Sequence, residues 1–162
     1  MDLITREEIS VTEQELRSYT ESDIKKLMKR YQKKQTALLV YTAAVAEREE
    51  LNDEEYDALI SSTLLAWQMI EKKCPALKKV RIERMEELDN LLFEDLQSRL
   101  NESDKANEEY MKNMISIHSQ RNLLGRISEM VLESEEPLRE DVKGILFFAA
   151  KTVLDALIEA CE

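Results

Sequence analysis

The punctuation that hairpins and long irregular loops require is nearly missing: 162 residues contain two glycines and two prolines. Those residues supply left-handed and kinked backbone at turns. Their scarcity excludes β-rich folds and points to long helices with short links. Histidine is scarcer still, since His118 is the only one. A Ser/His/Asp or Cys/His catalytic group has to use it. It stands next to Ile117 and one turn from Met114, a position that reads as the edge of a core stripe rather than a base. A di-iron bundle needs Glu-x-x-His on two helices, and a Cys/His zinc site needs more ligands than this chain holds.

The two cysteines, Cys74 and Cys161, are too few for a disulfide framework. They are expected to be free, small hydrophobes in a reducing compartment, so the expected location is cytoplasmic. No basic segment followed by an apolar run opens the chain, and no signal peptide is expected. The most apolar stretch, residues 144–150, runs into Lys151, Asp155 and Glu159, so no membrane span is expected. Neither glycine lies in a phosphate-cradling motif. No catalytic, cofactor or metal residue is assigned. A carboxylate Mg²⁺ site would be invisible among 34 acidic residues.

What the chain does have is 43% hydrophobic and 35% charged residues, enough to bury a core. The expected fold is all-α: an antiparallel bundle of five long helices with a short N-terminal helix. Residues 1–20 read as an arm and a short helix, begun by the capping-box spacing of Thr12 and Glu15. Residues 21–162 read as one helical-bundle domain. Its first helix is expected over about 22–49, on the stripe Ile24, Leu27, Met28, Tyr31, Leu38, Thr42, Val45, with Gln35 as a polar interruption. A second follows the Asn52/Glu55 capping box and ends at Cys74, with Trp67 as its core anchor. A third begins at Pro75 and ends near Leu100. A fourth is capped by Ser103 and carries a stripe from Ala106 to Val131, with Arg121 at a core-type position opposite Glu83 and Glu86. A fifth runs from about 138 to 160.

Short links force neighbouring helices to alternate in direction. Five alternating helices put Cys74 and Cys161 at opposite ends, on the order of 35 Å apart. They also collect basic residues at one end and acids at the other. The densest basic segment is Lys25, Lys26, Lys29, Arg30, Lys33 and Lys34, two ridges of one helix face with no acid among them. Glu129, Glu133, Glu135, Glu136, Glu140 and Asp141 are expected near that end, and Asp155, Glu159 and Glu162 at the other.

Two segments are apolar on more than one face. Residues 37–46 are expected to be central. On the last helix, Phe147, Phe148 and Leu154 widen the apolar surface, which Lys151 and Asp155 would rim as a homodimer contact.

A net charge of −11 disfavours direct nucleic-acid or membrane binding. The reading that follows is a non-enzymatic helical bundle acting through protein–protein contacts. Its basic patch is the candidate partner-binding site, and its opposite end is acidic. The alternatives are a small-molecule-binding or metal-dependent helical enzyme with a carboxylate-rich site, and an acidic mimic of nucleic acid.

Overall fold

The computed structural model describes residues 1–162 and is entirely helical. Its eight helices are α1 (Arg6–Ser18), α2 (Glu21–Lys34), α3 (Thr36–Arg48), α4 (Asp53–Lys73), α5 (Ile82–Ser98), α6 (Asp104–Ile117), α7 (Arg121–Leu132) and α8 (Glu140–Cys161). Side-chain caps start several of them where the sequence places start signals. Thr20 and Asp23 form the capping box of α2, Asn52 and Glu55 that of α4, and Ser103 accepts from the Ala106 N–H.

The N-terminal arm is an element of the core instead. Thr5 and Glu8, not Thr12 and Glu15, form the capping box of α1. Ile4 and Ile9 are buried with the central residues.

Two expected long helices are broken, each at a buried glutamine. The first breaks at Gln35, which leaves helical geometry at φ −137° and ψ 54°. Its side-chain amide donates to the Lys78 carbonyl at 3.0 Å and accepts from the Val80 N–H at 2.9 Å. The second breaks at His118–Gln120. The Gln120 amide donates to the Asp2 carbonyl at 3.0 Å and accepts from the Ile4 N–H at 2.9 Å. In both places a buried amide satisfies extended backbone that would otherwise be buried without partners. Residues 75–81 are accordingly a non-helical strap that opens with a turn at 75–76, rather than the start of α5, and the Lys78 N–H also reaches the Ala160 carbonyl at 3.3 Å.

The break at 118–120 adds a reversal, and that inverts the last helix. α4 and α8 run parallel as the central pair. At their heads Arg139 binds Glu55 at 2.8 Å. At their tails Cys74 and Cys161 form a disulfide, with Cα atoms 6.0 Å apart. The expectation of free, distant thiols is therefore overturned, and with it the ground for a reducing compartment. α4 is buried all round from Ser62 to Ile70, and α8 over most of residues 146–157. α5 packs antiparallel to α8, with Arg84 on Glu159 at 2.8 Å.

Residues 37–46 are not central, because Val40, Ala43 and Ala44 lie exposed on α3. Trp67 is fully buried, stacked on Tyr31 with ring centroids 5.0 Å apart. No helix is long and apolar enough to cross a membrane.

Candidate functional site

The inversion of α8 redraws the charge map. Asp155, Glu159 and Glu162 move to the basic end. Glu133, Glu135, Glu136, Glu140 and Asp141 move to the acidic end, where residues 133–136 share a cleft with Glu54 and Asp57. Of the acids expected near α2, all but Glu129, which pairs with Arg126 on α7, are therefore at the opposite end.

The α2 face follows from helical spacing. Leu27 and Tyr31 point into the core, and the six basic side chains cover the rest of the cylinder. All six are exposed. Arg30 and Lys34 both grip Glu71 of α4 at 2.6 Å, and Arg30 also lies 4.9 Å above the Trp67 ring. Lys25 pairs with Glu21 at 3.6 Å. Lys26, Lys29 and Lys33 make no ion pair, and their i, i+3, i+7 spacing puts them on one stripe facing away from the core.

The strap extends this stripe. Gln35 holds the backbone of Lys78 and Val80 against the C-terminal end of α2, and Lys78 and Lys79 are exposed there. With 34 acids available, 14 of the 23 basic side chains form ion pairs. Five of the nine that do not are Lys26, Lys29, Lys33, Lys78 and Lys79. Sequence spacing marks the three on α2. What fixes the strap of the other two at the end of α2 is the polar interruption at Gln35, whose role shows only when its partners are known.

The other candidate residues are drawn inward. Phe147 and Leu154 are fully buried, and Phe148 is 7% exposed against α5. The apolar breadth of α8 is used within a single chain, so the homodimer expectation loses the observation that motivated it. Lys151 and Asp155 belong to a polar network rather than an interface rim. Lys151 donates to Asp155 Oδ2 at 2.6 Å, and His118 Nε2 meets Oδ1 at 2.7 Å. Burial pushes the Asp155 carboxyl up, but the His118 hydrogen bond and the Lys151 charge outweigh it and hold the carboxyl below its usual value.

His118 Nδ1 accepts from the Gln120 N–H at 3.0 Å. Both ring nitrogens are thus hydrogen-bonded within the fold, one to the backbone of the break before α7 and one to α8. Arg121 is exposed at the first position of α7 and pairs with neither Glu83 nor Glu86. No three His, Cys, Asp or Glu side chains converge as a metal site.

No protein-family model, curated protein or solved structure matches the chain. The reading of its function therefore rests on this geometry.

Proposed function

We propose that the protein is a non-enzymatic helical scaffold that docks an acidic segment of a protein partner on the face formed by α2 and the 75–81 strap. One observation carries this reading. In a chain with a large surplus of acid, five of the nine basic side chains left without a counter-ion lie on α2 and the strap that adjoins its end. Isolated surface pairs contribute little to stability, so folding does not demand five unpaired lysines on α2 and the strap at its end. Opposed charge on a partner gives them a use, in steering association and fixing register. The stripe from Lys26 to Lys33 is about 10 Å long at 1.5 Å per helical residue, which suits a short acidic segment. The dense acid elsewhere on the surface repels long polyanions and anionic membranes.

The test is fluorescence anisotropy with a labelled peptide alternating Glu and Asp, at low and at physiological salt. The wild type is expected to bind it, more weakly as salt rises. K26E/K29E/K33E is expected to lose binding at least tenfold while melting close to the wild type, since none of the three lysines forms an ion pair within the fold. Absence of peptide binding overturns the reading. So does equal binding by the variant, or tighter binding of a single-stranded oligonucleotide or phosphatidylserine vesicles than of the peptide.

A further inference from the structure

Of the four remaining basic side chains without an ion pair, two share one cleft. Arg6 is the first residue of α1 and Arg121 the first of α7. These helices lie side by side and run parallel. Near their heads Asn122 Nδ2 donates to the Ile4 carbonyl at 3.0 Å, and further along Arg126 Nε donates to Glu13 at 2.6 Å. The end of α6 forms the opposing wall. The cleft between them holds about 560 Å³, and Ile9 and Ile115 are its only apolar lining.

The charge inside is uneven. Arg126 is engaged by Glu13 and also by Glu129 at 3.0 Å, and these are the only carboxylates in the lining. Both acids are thereby committed to the floor. Arg6 and Arg121 also line the cleft, are exposed, and have guanidinium forks without a partner in the fold. Ser10 makes no side-chain hydrogen bond within the fold, and Asn122 keeps a second amide hydrogen to donate.

We propose that this cleft binds a compact phosphate-bearing small molecule, held by the Arg6 and Arg121 guanidinium groups with Ser10 and Asn122 as neutral donors. A guanidinium presents paired N–H donors that match a phosphate bidentately. Two of them facing one cleft call for a ligand with several anionic oxygens close together. The volume falls in the range of small-molecule sites, about 300–1,000 Å³. The sparse apolar lining fits a hydrophilic ligand and not an acyl chain. None of the residues that line it belongs to α2 or the strap, and the proposal does not depend on what that face binds.

The experiment is isothermal titration calorimetry with inorganic pyrophosphate at near-physiological salt, with citrate as the carboxylate comparison. Wild type is expected to bind pyrophosphate more tightly than citrate. R6Q/R121Q is expected to weaken pyrophosphate at least tenfold, and K26Q/K29Q/K33Q to leave it unchanged. R6K/R121K keeps the charge but removes the forks, and an intermediate loss is expected. It also guards against a folding defect in the glutamine variant. Four results each overturn the proposal: no pyrophosphate binding, citrate binding more tightly, full affinity in R6K/R121K, or loss of binding in the lysine variant.

Discussion

Glu55 has no exposed surface, yet it is charged. Four N–H donors converge on its carboxylate: the backbone of Asn52 and Arg139, and the Nε and Nη2 of Arg139, at 2.8–3.1 Å. The Arg139 side chain is the largest influence, burial opposes it, and the backbone donors add to it. The result is a carboxyl lowered from 4.5 to about 2. A carboxyl depressed in the folded state stabilises the fold fully above its unfolded pKa. That contribution fades as pH falls from 4.5 toward about 2. Urea unfolding of wild type and Glu55→Gln across this range is therefore expected to show the largest gap near neutral pH, closing as the acid limb is descended. A gap that stays constant would mean that Glu55 acts through shape alone. Half of this arrangement was legible, since Asn52 and Glu55 carry the capping-box spacing. Arg139 was not, because its place depends on the direction of α8. Gln35 stood out as a polar residue in an apolar stripe. Gln120 did not, since its partners, Asp2 and Ile4, lie at the other end of the chain.

Among the helices, direction was the fragile inference. The all-helical class and most starts followed from caps and stripes. Direction followed from counting reversals, so a single missed break inverted everything after it. The break at His118–Gln120 carries no glycine or proline. It exists because Gln120 reaches the N-terminal segment and the His118 ring accepts the Gln120 N–H, contacts invisible to local periodicity. The parallel pairing of α4 with α8 has a direct consequence in the Cys74–Cys161 disulfide, which closes a loop across 87 residues. A cross-link of that span restricts the unfolded chain strongly, and disulfides of this kind contribute roughly 2–5 kcal/mol. Reduction, or C74A/C161A, is expected to lower urea-unfolding stability by about that much. The C-terminal turn of α8 and the 75–81 strap are expected to lose amide-exchange protection first. Reaction of either sulfur with a thiol reagent in native, unreduced protein would contradict the pairing.

At the scale of the whole molecule, charge separates more sharply than an alternating bundle implies. The heads of α4 and α8 and the tails of α3 and α7 bring Glu47, Glu50, Asp53, Glu54, Asp57, Glu133, Glu135, Glu136 and Asp141 to one end, where Arg48, Arg139 and Lys143 are each already paired. Two opposed salt effects follow. Added salt weakens the surface ion pairs, each worth about 0–1 kcal/mol. It also screens the repulsion among clustered acids, which acts over distances comparable to the Debye length of about 10 Å at 0.1 M. With a net charge of −11 concentrated at that end, repulsion is expected to win. Raising sodium chloride from about 0.01 M, where the Debye length is about 30 Å, to about 0.3 M should raise the melting temperature. E135K/E136K should melt higher than wild type at the low salt and respond less to its increase, because the two replaced residues stand in the cleft beside Glu54 and Asp57. The same double change made at two exposed acids outside that end that form no ion pair, Glu7 and Glu86, should not flatten the salt response to the same degree. A melting temperature that falls with salt in the wild type would show that ion pairs, and not the acidic end, dominate the electrostatics of this fold.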